Sequence, residues 1–359
     1  MTPETVPVPT SSHAPLYPFF LAFFYKFKIT PLTYFLIMII QAGFSLSTVY
    51  LISKTARHFY GENTARIVEF FCGLYPPLIY YCAKLVPTTI FLLLLAWTIY
   101  RLLQAEEKML RYYLLTGCIL GLAILCDPIA FVFYPAIFSW FLFSKKINFF
   151  RILVISIASI ILLTPWTIRN YKIHHRFVPV TTQFGINFWI GNNPQATGTD
   201  YFKVLAPEKE DYILMTATLP PLLLDSLNSC SEIERSEYYS RQALEFIKNN
   251  PLKFICLLVK KTYYYFWFAP SSIYFSPDLE KYRSIYILLY IPLLITGLAG
   301  IFLSVKNHKD ISLVLTVLGL IAGLYIFTHV GLIRYRLPVE LYLLLFSGYL
   351  VAHFRRETA

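Results

Sequence analysis

Apolar residues in this chain gather into long blocks rather than alternating with polar ones. Runs near 31–53, 66–83, 86–104, 112–126, 128–144, 152–168, 285–304, 311–329 and 337–354 each approach the length a helix needs to cross about 30 Å of hydrocarbon. About nine transmembrane helices are expected. Two short runs abut at "CDPIA", so 112–144 can alternatively form a hairpin that enters and leaves on one side.

Composition agrees with a membrane setting. Hydrophobic residues make up 57% of the chain and charged residues 14%, with a mean hydropathy of +0.57, whereas a soluble domain is roughly a quarter charged. The formal charge of +11 does not argue for nucleic acid, because the Lys and Arg residues fall mostly at the ends of apolar runs, with no basic tail. Cys72, Cys82, Cys118, Cys126, Cys230 and Cys256 show no CxxC or metal spacing, and most read as small buried hydrophobes.

The short connections carry the orientation. "SKTARHFYGENTAR", "RLLQAEEKMLR", "SKKINFFR", "KNHKD" and "HFRRETA" are basic and alternate with the runs, so the positive-inside rule puts all five in the cytoplasm. Segment 1–30, the turns near Lys84 and Asp127, region 169–284 and "HVGLIRYRLP" then face outward. No basic region with a cleavable apolar core precedes the first run, so no secretory signal peptide is expected. The domain plan is an outer N-terminal segment 1–30, a bundle 31–168, an outer domain 169–284 and a C-terminal bundle 285–359.

Region 169–284 has its own organisation. Pro165 ends or kinks the helix before it, "FVPVTT" and "INFWI" have extended character, and "GNNPQATG" is turn chemistry. In "SEIERSEYYSRQALEFIKNN", Ser231 and Glu234 form a capping box ahead of a helix. "PLKFICLLVKKTYYYFWFAP" is long enough to span, but Lys260 and Lys261 would then lie in mid-membrane at a cost of several kcal/mol. It reads instead as an amphipathic helix in the outer interface.

Five stretches in order, "HAPLYPFFLAFFYKF", "GLYPPLIYYCAKLVPTTIFLLLL", "GLAILCDPIAFVFYPAIF", "TPWTIRNYKIHHRFVPVTTQFGINFWIGNNPQATG" and "IRYRLPVELYLLL", resemble bacterial GT-C glycosyltransferases of the glycosyltransferase family 39 type. These are relatives of aminoarabinose and protein mannosyl transferases. The resemblance implies an all-α polytopic membrane fold of the GT-C kind with a small mixed extracytoplasmic domain. It also implies a polyprenyl-phosphate sugar donor, an outward-facing site and a lipid, glycan or protein acceptor, in the bacterial inner membrane. Such proteins usually begin with a further transmembrane helix and an acidic outer loop; this chain starts after that point, with Glu4 as its only upstream acid. Where relatives carry an acid it has Thr88–Thr89, and where they carry a basic residue before proline it has Asp127–Pro128.

A polyprenyl phosphate carries its charge at headgroup level, and arginine suits it by offering several donors in a planar fork. Arg334 and Arg336, with Tyr335 between them, stand at the outer end of a span, while Arg169 opens the outer loop and Lys84 lies at another outer turn. Each cation taken singly also fits simple snorkelling. Asn192 and Asn193 either hydrogen-bond sugar hydroxyls beside Trp189 or build a turn pinning the outer domain to the membrane mouth. Asp127 reads as a helix N-cap before Pro128, with an outward catalytic carboxylate as the alternative. His13, His174 and His175 have no carboxylate at metal-binding spacing, and Asp200, Glu210 and Asp211 read as solvated surface.

The expectation is a membrane glycosyltransferase, or a truncated relative of one, in which an outer carboxylate that the sequence does not identify deprotonates the acceptor and arginines stabilise the departing phosphate. No cofactor is expected, no Gly-rich nucleotide loop is present, and a divalent metal is left open. The alternatives are a noncatalytic membrane protein and a lipid-linked-sugar transporter. Transport calls for mid-span charges and repeat symmetry, neither of which stands out.

Overall fold

A computed structural model describes residues 9–26, 30–106, 108–144, 148–199, 201–205, 210–214, 229–268, 283–307, 310–328 and 333–357. Helices dominate. In chain order they are α1 (Leu16–Tyr25), α2 (Pro31–Tyr60), α3 (Glu62–Gly73), α4 (Pro76–Cys82), α5 (Thr88–Leu103), α6 (Leu110–Cys126), α7 (Phe133–Ser144) and α8 (Phe149–His174). Then follow α9 (Phe184–Gly191), α10 (Glu232–Asn249), α11 (Pro251–Phe266), α12 (Arg283–Lys306), α13 (Ser312–Thr328) and α14 (Leu337–Glu357). An antiparallel hairpin, β1 (Tyr201–Leu205) with β2 (Glu210–Leu214), pairs Tyr201 with Leu214. A polytopic all-α membrane protein with a small mixed segment between α8 and α12 is what the chain forms.

Four helices, Pro31–Tyr60, Phe149–His174, Ser284–Lys306 and Leu337–Arg355, are long and apolar enough to cross a bilayer. Shorter apolar helices at 88–103, 110–126, 128–144 and 312–328 match four more of the expected runs. The run expected at 66–83 differs: it is two helices, broken at Leu74–Tyr75 ahead of Pro76 and Pro77. Proline cannot donate to the preceding turn and pushes the residue before it out of the helical region. The broken segment still traverses the bundle against α14, since Val68 lies on Gly348 and Tyr75 reaches Glu340.

The alternation of these helices gathers the basic connections at one end. There Tyr60 bonds Ser304, His58 meets Gln104, and Asn307 donates to Tyr349. The opposite end, called the mouth below, holds the turns after α4, α6 and α13, together with α9, α10 and α11. Gln41 of α2 fixes one of these turns by donating to the carbonyls of Cys82 and Lys84 at 2.9 and 3.0 Å while accepting from Tyr17. In a hydrocarbon surround such bonds are how a non-helical backbone is satisfied.

Helix contacts rely on small residues, as expected where lipid competes for every apolar surface. Gly117 and Gly121 of α6 lie directly on Ile155, Ala158 and Leu162 of α8, so close that a Cβ at Gly117 would overlap the Ile155 carbonyl. Gly300 of α12 sits likewise on the Phe346 carbonyl of α14. Between α12, α13 and α14 remains an apolar groove of about 190 Å³, lined by Leu298, Leu318, Gly319, Leu343 and Phe346 among others. A Cβ at Gly319 would meet nothing within 4 Å. Gly117→Val is therefore expected to destabilise the fold by about 1–3 kcal/mol through overpacking, and Gly319→Ala to leave it unchanged. Melting of the two variants in detergent checks this.

Candidate functional site

Three turns and a helix end meet at the mouth. The end of α4 brings Tyr81 and the turn after it Lys84, the turn after α6 brings Asp127, and a 3-10 turn at Ile333–Tyr335 brings Arg334. Arg334 joins them: it faces Tyr81 and acts electrostatically on Asp127. Its Nη2 donates to the Tyr335 hydroxyl at 3.1 Å, and its guanidinium lies 5.0 Å from the Tyr335 ring. Tyr335 stacks on Tyr325 of α13 at 4.6 Å. The Nε of Arg334 is buried and has no hydrogen-bond partner among the described residues. A buried donor left unpaired costs about 1–3 kcal/mol, so this nitrogen is suited to an incoming acceptor.

Arg336, two residues on, is differently placed. It is 3% exposed and its partner Glu340 0%. Its Nε meets Glu340 at 2.5 Å, its Nη1 donates to the carbonyls of Tyr265 and Trp267 at 3.2 and 2.8 Å, and its Nη2 donates to the Tyr286 hydroxyl. Tyr75 and Tyr286 donate to the two Glu340 oxygens, and the Tyr290 ring lies 3.8 Å below the guanidinium. Every donor face of Arg336 is thus engaged. The pair expected from "RYRLP" divides into one arginine committed to the fold and one with a donor to spare.

Lys261 of α11 forms the reciprocal contact. It is fully buried, and its Nζ donates to the carbonyls of Gly191, Phe327 and Thr328 and to Asn192 Oδ1 at 3.1–3.3 Å. Burial pushes its amino group down to about 7. Asn192 donates in turn to the carbonyls of Phe188, Phe327 and Thr328. Asn193 donates to Trp189 and Ile190 and accepts from the Gln195 N–H. Both asparagine side chains are buried: their amide N–H groups donate to backbone carbonyls, and their Oδ1 atoms accept from Lys261 and from the Gln195 N–H, the bonds of a turn that ties α9 to α11 and α13. The helix expected in the outer interface is α11. Leu252, Ile255, Val259 and Tyr263 stay exposed on one face, while Leu257, Lys261 and Tyr265 are buried on the other.

Arg169 stands in a separate cluster. Its Nη1 donates to the Thr10 carbonyl, Ser11 Oγ and Asn170 Oδ1, and its guanidinium lies over Trp166. Asn170, fully buried, donates to the carbonyls of Val178 and Val180. Glu232, at the start of α10, accepts from the Ser11 N–H and from the hydroxyls of Thr10 and Thr182. His174 meets Ser11 Oγ at 2.8 Å and Glu232 at 4.0 Å through the same Nε2. A nucleophile–base–acid relay needs the carboxylate on the other ring nitrogen, so this group ties chain segments together. "PWTIRN" is thus a clamp on the residues before α1 and the loop before α9. Lys84 lies over the Tyr80 ring at 5.0 Å. Among the described residues no group of His, Cys, Asp and Glu could hold a metal. Glu4, Glu210 and Asp211 lie outside the residues whose side chains are described.

A model of the dolichyl-phosphate-mannose-protein mannosyltransferase family matches residues 12–168. No curated protein and no solved structure matched the chain. The matched stretch contains Lys84 and Asp127, and Arg334 and Arg336 follow well after it.

Two outcomes follow from these clusters. Arg336→Ala leaves Glu340 buried without its cation, so a loss of about 3–5 kcal/mol is expected, seen as a lower melting temperature whether or not a ligand is present. For Glu232, burial pushes the carboxyl up, but hydrogen bonds from Thr10, Ser11 and Thr182, with His174 nearby, hold it below the usual range. A depressed carboxyl contributes stability above its unfolded value and loses it as pH falls through the folded one. The clamp on residues 10–11 should therefore open below about pH 4 and be open at neutral pH in Glu232→Gln, measured as hydrogen exchange of the Ser11 amide.

Proposed function

We propose that this chain is a membrane glycosyltransferase of the GT-C type that takes a sugar from a polyprenyl-phosphate donor at the mouth and passes it to a lipid, glycan or protein hydroxyl. The observation that carries this reading is the half-buried Arg334, whose Nε is itself buried and has no hydrogen-bond partner among the described residues, set among the rings of Tyr335, Tyr325 and Tyr81. The family match over residues 12–168 supports the reaction class. The five basic connections at the opposite end support an outward mouth through the positive-inside rule, which in a bacterium is the outer face of the inner membrane.

In this reading Arg334 binds the phosphate of the donor and stabilises the charge that grows on it as the sugar leaves. Lys84, in the turn after α4, contributes charge rather than a fixed fork. Arg336 holds the segment on which Arg334 is mounted. The rings of Tyr335 and Tyr325 exclude water, which strengthens a charge-assisted bond.

Purified protein in detergent should be stabilised by a polyprenyl monophosphate. Arg334→Ala should weaken that binding by about 1.5–3 kcal/mol without lowering the melting temperature of the free protein. Arg334→Lys should restore part of it, since the charge returns without the fork. If wild type, Ala and Lys forms respond alike to the phosphate, Arg334 is an interfacial anchor and the proposed site is wrong.

A further inference from the structure

Asp127 has no part in the reading so far, and its surroundings give it one. It lies between α6 and the 3-10 turn Pro128–Val132, and its Oδ1 accepts from the Ile129 N–H at 3.0 Å, capping that turn. Its other oxygen has no hydrogen bond or ion pair among the described residues, and the side chain is only half-buried. The groups facing it are Cys126 from its own segment, Tyr325 from α13, and Arg334 from the turn before α14. Arg334 acts on Asp127 electrostatically, and no ion pair joins the two.

A cap uses one oxygen, and asparagine serves as well there as aspartate. An acid at a partly desolvated site, not closed onto the nearby guanidinium, costs free energy that capping does not return. We propose that Asp127 is the proton acceptor of the transfer reaction, resting on the reading of Arg334 as the phosphate holder. Its Oδ2 takes the proton of the acceptor hydroxyl as that oxygen bonds to the anomeric carbon. The bond from the anomeric carbon to the phosphate oxygen breaks, and its electron pair leaves with the polyprenyl phosphate.

The charges balance across this step. Before it, the guanidinium faces an ionised carboxylate and a phosphodiester with a single negative charge. After it, the carboxyl is neutral and the phosphomonoester carries nearly two negative charges. The site keeps the same net charge throughout, so neither state has to be stabilised by moving further ions. Burial pushes the Asp127 carboxyl above its ordinary range, with the Ile129 N–H and Arg334 opposing it, and this is the direction that suits a proton acceptor near neutral pH.

The product complex in this scheme is protonated Asp127 beside a phosphomonoester, and it can be made without knowing sugar or acceptor. Farnesyl phosphate is titrated into the purified full chain at pH 7.5 by calorimetry in two buffers of different ionisation heat, for wild type, Asp127→Asn and Arg334→Ala. Wild type is expected to take up about one proton more than Asp127→Asn on binding. The Asn variant should bind several-fold tighter, because a like charge is gone, and should melt as wild type does. Equal proton uptake and affinity in wild type and Asp127→Asn, with binding lost in Arg334→Ala, overturns the role of Asp127 alone and leaves it a cap. Failure of wild type to bind, or undiminished binding by Arg334→Ala, overturns the phosphate reading and Asp127 with it.

Discussion

The mouth depends on two helix ends closing each other. An α-helix finishes with carbonyls that have no partner of their own, and near a membrane they cannot all turn to water. At the end of α11, Arg336 takes the carbonyls of Tyr265 and Trp267, and Tyr290 takes that of Phe266. At the end of α13, Lys261 and Asn192 take the carbonyls of Phe327 and Thr328. Each cation comes from beside the other helix: Lys261 lies on α11, and Arg336 follows α13. The macrodipole favours a cation at both places. Because the two helix ends are capped across each other, α9 and α11 are locked to α13, and the turn bearing Arg334 is held in position.

Glu340 makes the arrangement specific. A buried arginine without a counter-charge would be very costly, and a buried pair returns little net stability unless its remaining donors and acceptors are met. Here they are met by Tyr75, Tyr286 and two backbone carbonyls. Tyr75 is in reach because the helix breaks just before Pro76, so the interruption in the expected run 66–83 delivers a hydroxyl to the ion pair. Removing the interruption would lengthen a helix and strand an acid.

Much of this was legible in the sequence. Apolar block length gave the spans, charge alternation gave the shared end of the basic connections, and the Ser231–Glu234 capping box is present as read. The division of labour between Arg334 and Arg336 was not legible, because the partners of Arg336 lie some 50 to 70 residues away in α11 and α12. Glu340, four residues after Arg336, is the sequence signal for that commitment, since i and i+4 share a helix face. Lys261 was visible as a membrane problem, and its spacing with Leu257 and Tyr265 marks a buried face. The carbonyls it serves come from two distant segments that no periodicity reveals. Arg169 and Asn170 had the residue types of a binding motif, and only tertiary contacts show them clamping Ser11, Val178 and Val180.

The groove between α12, α13 and α14 is walled almost wholly by carbon and open at its side. Water gains no hydrogen bonds there, so an apolar chain is favoured over water in it. Occupancy then follows the mole fraction of a chain within the lipid phase rather than its molarity in the buffer. Any amphiphile tail that competes for this groove does so in two dimensions, and an apparent dissociation constant for a long-chain ligand will scale with the amount of detergent or lipid in which the protein is dissolved.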